Sequence, residues 1–259
     1  MNNTKKRTGA LLSDARGQLV GRYGQAILVM VLVDALNLLL ASFADYTYTG
    51  TIGSYLLRMI VLIIIDLLLG VLFFGRDRYF LNLVRGTQGL SPADLFHGVK
   101  NNADKAICLQ AVYTLVMIIT VIPAAYIGFF VNLTDREAIN AGLFLQLCSL
   151  FLLFVVRLFF GLSFYILADH PDYGVLKILS ESNRLMNGNR LRFIALTLRM
   201  IPYMLLGALA FVFGLLWPSA VYRTALANFY LDLLGEEPYN PLTAKPAEPE
   251  PDPQSQLLT

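Results

Sequence analysis

Long apolar runs dominate this chain and restrict it to one kind of fold. Five segments of about 20 or more residues, each with few charges, are long enough to cross the hydrocarbon layer as helices. Only 15% of the residues are charged and 56% are hydrophobic, whereas a soluble globular domain carries roughly 25% charged residues. The chain therefore has too little polar material to coat a water-soluble surface. The predicted spans are Gly24–Phe43, Gly53–Gly75, Ile107–Val131, Ala141–Leu167 and Phe193–Leu216.

The connections between these runs differ in their basic residues. The segment before the first run holds five lysines and arginines, the connection after the second run five and the connection after the fourth run four, while the other two connections hold only Arg136. Cytoplasmic connections are enriched in Lys and Arg, so this distribution predicts a multi-pass cell-membrane protein with a cytoplasmic N-terminus. Five spans place the C-terminus outside, and a re-entrant fifth segment would reverse that side.

These features predict an all-α fold, a polytopic membrane helical bundle with interfacial amphipathic helices. About five transmembrane helices are expected, with six as the alternative count. Residues 1–235 are expected to form a single integral-membrane helical domain. Residues 236–259 are rich in Pro and acidic residues and are expected to form a disordered tail.

Short amphipathic helices are predicted in the connections, at the headgroup level or folded under the bundle. In LSPADLFHGVK, Ser91 suits an N-cap and Pro92 the first helical position. The apolar face of this helix comprises Leu95, Phe96 and Val99. The other predicted amphipathic segments are Ala10–Val20, Ala168–Met186 and Pro218–Leu234, the last closed by Gly235.

A weak internal repeat accompanies these helices. Asn102–Leu109 (NADKAICL) and Asn189–Leu196 (NRLRFIAL) align without gaps, and each follows a predicted amphipathic helix and opens a membrane span. Repeats of this kind are common in transporters.

Charged residues inside the predicted spans form the candidate site. Placing Asp or Arg at the centre of a membrane helix costs roughly 2.5–3.5 kcal/mol, so such groups face each other, a wet cavity or the headgroups. One interpretation is a polar cavity for an ion, a proton or an anionic headgroup, and the other is a set of ion pairs that fixes helix packing. Arg58, near the outer end of the second span, is expected to snorkel to the interface. The candidate intramembrane polar site comprises Asp34, Asp66, Arg157 and Arg199.

Several small features fit a membrane bundle without requiring a site. Pro123 and Pro202 each remove one backbone hydrogen bond from a span, and Gly207 and Gly214 are expected to allow close helix packing. Both cysteines lie in apolar runs, where Cys behaves as a small hydrophobic residue.

The commonest sequence motifs for nucleotide binding, hydrolysis and zinc chemistry do not occur. Two histidines, His97 and His170, have aspartates nearby in sequence and could bind a metal, but we favour the simpler interpretation that they are polar residues at solvated helix starts. We therefore expect no enzyme activity, no catalytic residue, no metal and no cofactor. A net charge of +2 gives no argument for nucleic acid.

Four motifs resemble a family of uncharacterised bacterial membrane proteins, the domain of unknown function 975 family. They are AR-x-x-L-x-G-x-Y at Ala15–Tyr23, ADHPDYG at Ala168–Gly174, S-x-x-L-M-x-G ending at Gly188, and T-x-x-A-x-F-Y at Thr224–Tyr230. One departure is Ser219, where the family usually has Tyr. The chain is also distantly similar to the membrane domain of some glycerophosphodiester phosphodiesterases. The resemblance implies a multi-span protein of the bacterial cell membrane and assigns no catalytic residues.

Two functions follow from these features. The first is non-enzymatic binding or transport of a small or lipid-like solute through a polar cavity between helices. The second is a membrane scaffold or accessory protein whose interfacial helices contact other membrane proteins. The expected partners are the lipid bilayer and either other membrane proteins or an anionic or lipid solute.

Overall fold

The protein is an all-α helical bundle, and no β-strand occurs in the part of the chain that is described. A computed structural model describes residues 5–130, 136–209 and 211–239. Five helical stretches are long and apolar enough to cross a membrane. The helices are α1 (Thr8–Leu19), α2 (Tyr23–Asp45), α3 (Ile52–Val84), a 3-10 helix (Pro92–Phe96), α4 (His97–Lys100), α5 (Ala103–Phe130), α6 (Arg136–Phe160), α7 (Ser163–Asp169), α8 (Val175–Met186), α9 (Arg190–Leu209) and α10 (Phe211–Leu234).

The long helices form three antiparallel hairpins, and short helical segments precede each one. The helix α1 precedes α2–α3, the 3-10 helix and α4 precede α5–α6, and α8 precedes α9–α10. Contacts between the start of one helix and the end of its partner show the antiparallel pairing. In the first hairpin Arg58 binds Asp45 at 2.7 Å, and in the third Arg192 binds Asp232 at 2.6 Å.

The same positions are buried in the first helix of each hairpin. The predicted repeat falls on the first two turns of α5 and α9, where Leu109 and Leu196 are both fully buried. Leu109 and Leu196 each lie seven residues after the residue that precedes their helix. The same count from Arg22, the residue before α2, gives Val29, which is also fully buried. A buried position near the start of the first helix is therefore common to the three hairpins.

Helix α3 is longer than the predicted span, which ended at Gly75. It continues to Val84, and its 33 residues extend about 50 Å, more than the ~40–45 Å of a complete bilayer. The continuation is stable because it is buried by the short helices around it. A Cβ atom at residue 75 would overlap the carbonyl oxygen of Leu95, so glycine is required for the 3-10 helix to pack against α3.

The predicted span Ala141–Leu167 covers two helices. The helix α6 ends at Phe160, and α7 begins at Ser163. At this break the hydroxyl groups of Ser163 and Tyr113 both donate hydrogen bonds to the carbonyl oxygen of Phe160, the first at 2.7 Å. Side chains thus satisfy a carbonyl group at the helix end.

The predicted fifth span, Phe193–Leu216, begins in α9, where a candidate span is confirmed, but its predicted end is wrong because the chain turns back into α10. The predicted amphipathic helix Pro218–Leu234 is the second part of α10, which begins at Phe211, and Pro218 lies inside it. A Cβ atom at Gly207 would lie 2.6 Å from the carbonyl oxygen of Gly214, so these glycines let the two helices approach closely. They face each other from opposite helices of the hairpin.

The return of α10 reverses the predicted side of the C-terminal region. The side chain of Gln18 in α1 donates to the carbonyl oxygen of Tyr239 at 3.0 Å, and the amide of Tyr239 donates to Val84 at 2.8 Å. The chain up to residue 239 therefore ends on the same side of the bundle as α1, and the expected opposite side was wrong. Residues 240–259 of the predicted tail lie outside the described residues.

The short helices cover a buried core at one end of the bundle. The N-cap predicted at Ser91 is confirmed, since its hydroxyl accepts from the amide of Ala93 at 3.3 Å. Of the predicted apolar face, Leu95 is buried whereas Phe96 and Val99 are exposed. The largest fully buried side chains at this end are Tyr79, Tyr165, Tyr230, Phe74, Phe80 and Phe229.

Candidate functional site

A buried ion pair lies in α3 just beyond the predicted end of the second span. In the stretch FFGRDRYF, Arg76 is 7% exposed and Asp77 is 3% exposed. The Nε group of Arg76 donates to Oδ1 of Asp77 at 3.2 Å, and its guanidinium lies 5.0 Å from the ring centre of Phe73. Burial of two charges is tolerated here because each has a partner.

A second arginine shares the same carboxylate. Arg223 in α10 donates from Nη1 to Oδ1 of Asp77 at 3.1 Å. One negative charge therefore serves two guanidinium groups that come from different hairpins. Arg76 and Arg223 together therefore carry one positive charge more than Asp77 neutralises.

A third arginine, Arg157, lines the same cavity from the last turn of α6. The cavity is about 130 Å³ and also has Gln110 and Tyr113 of α5 in its wall. Arg157 is exposed, and among the described residues no carboxylate lies within ion-pair distance of it. Three arginines, one from the second helix of each hairpin, thus surround a cavity whose described lining holds one aspartate, Asp77.

This cavity, the basic pocket, has the chemistry of an anion site. The three arginines carry two more positive charges than the one carboxylate neutralises. Guanidinium groups also present planar pairs of N–H donors that match phosphate and carboxylate oxygens. The burial of Arg76 and Asp77 strengthens the attraction relative to bulk water.

An apolar groove runs beside the basic pocket along the seam between α3 and α5. It is about 590 Å³ and extends from Tyr55 to Asp66 on α3. Asp66 accepts hydrogen bonds from Nε2 of Gln110 at 2.9 Å and from the hydroxyl of Thr114 at 2.5 Å. Because Gln110 also lines the basic pocket, it lies between the pocket and the groove.

The four predicted site residues do not form one cluster. Asp66 lies in the groove and Arg157 in the basic pocket. Asp34 is exposed on α2, and Arg199 is exposed on α9 beside α1. No ion pair joins any two of them in the described ranges. Arg58, expected to snorkel, binds Asp45 with Nε at 2.8 Å.

Sequence reasoning missed three members of the basic pocket. Arg76 and Asp77 were assigned to a connection because the hydropathy falls there, and Arg223 to an interfacial helix. One available signal was the run of aromatic residues on both sides of Arg76 and Asp77, which is unusual for a solvated loop. The pairing with Arg223 spans 146 residues and leaves no local pattern.

A separate charged cluster joins the ends of three helices. Arg85, directly after α3, binds Asp169 of α7 through Nη1 and Nη2 at 2.5 and 2.9 Å, and also binds Glu236 at 3.0 Å. The hydrogen bond to Asp169 raises the pKa of Arg85 above its usual value. The hydroxyl of Tyr230 donates to the same Asp169 at 2.9 Å. All groups have partners, so this cluster fixes the helix ends.

The histidines lie apart from any set of metal ligands in the described part of the chain. The ring of His97 contacts the side-chain amide of Asn101 at 3.1 Å, and the ring of His170 stacks on Tyr173 at 4.5 Å. The expectation of no metal and no cofactor stays a prediction.

The fold and the pocket define the class of this protein, a polytopic all-α membrane protein with a basic pocket near the end that carries the short helices. The chain belongs to the family described as Protein of unknown function (DUF975), whose model matches residues 6–237. The resemblance to this family is thus confirmed, and the distant similarity to glycerophosphodiester phosphodiesterase membrane domains stays a prediction. No curated protein and no solved structure shows a significant match to the chain.

Proposed function

We propose that the protein is a non-enzymatic membrane protein that binds or transports an anionic, lipid-like solute through its basic pocket. The observation that carries this proposal is the convergence of Arg76, Arg157 and Arg223 on one cavity, where Asp77 is the one carboxylate among the described lining residues. An anion with several oxygen atoms, such as a phosphate group, offsets the two excess charges.

The depth of the basic pocket relative to the membrane supports a lipid headgroup as this anion. The part of α3 that precedes Arg76 runs from Ile52 to Gly75, about 36 Å at 1.5 Å per residue. This length slightly exceeds the ~30 Å hydrocarbon layer, so the pocket lies where the headgroups begin. Arg157, the exposed member, opens the pocket toward its surroundings.

The groove between α3 and α5 supports an apolar part in the same solute. Its walls are almost entirely aliphatic and aromatic, and Gln110 links it to the pocket. A phosphate-bearing group in the pocket and an acyl chain in the groove would use both features together.

We place the protein in the cell membrane of a bacterium, with a cytoplasmic N-terminus. The scaffold function stays the alternative prediction.

The test is lipid binding by purified protein in neutral detergent. Short-chain phosphatidylglycerol and phosphatidylcholine of the same chain length are titrated, and bound lipid is counted by native mass spectrometry. We expect Arg157→Gln to weaken phosphatidylglycerol binding about tenfold or more, the effect of losing one charge-assisted contact. Its unfolding temperature without lipid should stay unchanged because Arg157 has no ion pair to lose among the described residues.

The matched control is Arg184→Gln, which removes the same charge from the exposed face of α8. It should leave phosphatidylglycerol binding at the wild-type level, and phosphatidylcholine should bind weakly to every variant. Equal phosphatidylglycerol affinity in Arg157→Gln and the wild type would refute the basic pocket as the binding site.

A further inference from the structure

A second group of arginines lies on a different face of the molecule, where α1 crosses α9. Arg16 and Arg199 line a hollow of about 230 Å³ together with Leu12, Ser13 and Tyr203. The guanidinium of Arg16 lies 4.6 Å from the ring centre of Tyr203. A Cβ atom at Gly9 would lie 2.6 Å from Nη1 of Arg199, so glycine makes room for this guanidinium against α1.

Among the described residues, no carboxylate lines the hollow to balance its two positive charges. Asp14, the acidic residue of α1, is bound to Lys6 at 2.9 Å and does not line the hollow. Elsewhere in α9, Arg192 is paired with Asp232 at 2.6 Å. Arg16 and Arg199 have no such partner in the described residues, and the buried Nε of Arg16 has no hydrogen-bond acceptor there.

The position of the hollow indicates where a compensating anion comes from. Arg199 is nine residues beyond the start of α9, about 13 Å along the helix axis. Its side chain is exposed at the outside of the bundle rather than inside it. The hydroxyl group of Thr197 contacts that of Tyr222, the neighbour of Arg223, at 3.2 Å, so Arg199 lies near the level of the basic pocket. Phosphate groups of membrane lipids are the anions present at that level, and two unneutralised guanidinium groups there are costly.

We propose that Arg16 and Arg199 bind a phosphate group, which membrane lipid mainly supplies, and that this contact holds α1 against α9. This site is separate from the basic pocket, which lies between α3, α5, α6 and α10, and goes beyond the proposed solute site. It makes the position of α1 depend on anionic lipid.

The test measures the accessibility of α1 in the full-length protein. Cys108→Ser and Cys148→Ser give a background without native cysteines, and Ser13→Cys, at the edge of the hollow, is labelled with a water-soluble maleimide. We expect short-chain phosphatidylglycerol to slow labelling by about tenfold, and Arg199→Gln or Arg16→Gln to abolish this protection. Arg199→Lys keeps the charge and should retain part of it.

Two further arms separate the sources and the sites. Inorganic phosphate replaces the lipid in one arm, and protection by phosphate alone would still support the anion site while identifying a free ion as a sufficient ligand. Arg157→Gln, which disables only the basic pocket, should leave the protection of Ser13→Cys intact. Wild-type protection in the Arg16→Gln, Arg199→Gln double variant, with an unchanged elution volume, would overturn the proposal.

Discussion

Asp77 is the residue on which the basic pocket depends. It is the carboxylate that both Arg76 and Arg223 contact, and its side chain is only 5% exposed. Two guanidinium groups around one carboxylate hold the ends of two hairpins together. The same arrangement keeps the pocket positive, because the shared charge neutralises only one of its partners.

We expect Asp77→Asn to lower the free energy of unfolding by about 3 kcal/mol, because it leaves buried guanidinium groups without a counter-charge. Thermal unfolding in detergent measures this loss. Asp172→Asn removes the same charge from an exposed turn and should leave the unfolding temperature unchanged. Phosphatidylglycerol should stabilise Asp77→Asn more than the wild type, since the variant pocket carries three excess positive charges. A variant as stable as the wild type would show that Asp77 is not needed for these contacts.

The sequence could indicate single charged residues but could not bring them together. The cost of a charge inside an apolar run is local, so Asp66 and Arg157 were found. The partners of Asp77 depend on contacts between hairpins, and Arg223 lies 146 residues away. Arg76 and Asp77 were also missed because charged residues were assumed to end a membrane span. That assumption holds for helices surrounded by lipid and fails where other helices bury the charged residues.

At the scale of elements, α3 and the 3-10 helix pack at van der Waals contact. The space for the carbonyl oxygen of Leu95 exists only because residue 75 has no side chain. This contact places Leu95 in the core and sets the start of the connection that leads into α5. Close approach of backbones at glycine is frequent in membrane bundles.

We expect Gly75→Ala to lower the free energy of unfolding by about 2 kcal/mol or more, because a new methyl group meets a backbone atom that cannot rotate away. The measurement is the unfolding temperature in detergent. Gly53→Ala in the same helix is the control, since a Cβ atom there meets nothing within 4 Å. It should be neutral or slightly stabilising, because Ala favours helix over Gly. Equal stability of the two variants would contradict the described packing of the 3-10 helix.

Element prediction failed most clearly at α9 and α10. From Phe193 to Leu216 the run is apolar except for Thr197 and Arg199, and no Asn, Asp or Ser in it indicates a turn. The signal for the reversal was the pair Gly207 and Gly214, which the sequence placed on one helix. The span count of five followed from length and composition, and those properties do not reveal whether a run crosses the membrane or folds back.

At the scale of the whole molecule, three similar hairpins share one buried end. The second helices of the hairpins contribute Arg76, Arg157 and Arg223, so the basic pocket lies where the three units meet. The short helices α1 and α8 cover the same end. Among the described residues, the basic pocket, the Arg85–Asp169 contact and the Arg192–Asp232 pair all lie at this end.

The third hairpin returns the chain after α10 to the side of the membrane on which α1 lies. Cysteine labelling tests this topology. In the cysteine-free background, Thr49→Cys lies in the α2–α3 connection, Gln88→Cys after α3 and Glu237→Cys after α10, and all three positions are exposed. We expect a membrane-impermeant maleimide to label Thr49→Cys in intact cells, and the other two only after permeabilisation, because Tyr239 contacts Val84 and Gln18 on the predicted cytoplasmic side. Labelling of Glu237→Cys from outside while Gln88→Cys stays protected would mean that α10 does not return, and that α9 and α10 cross the membrane as one continuous span.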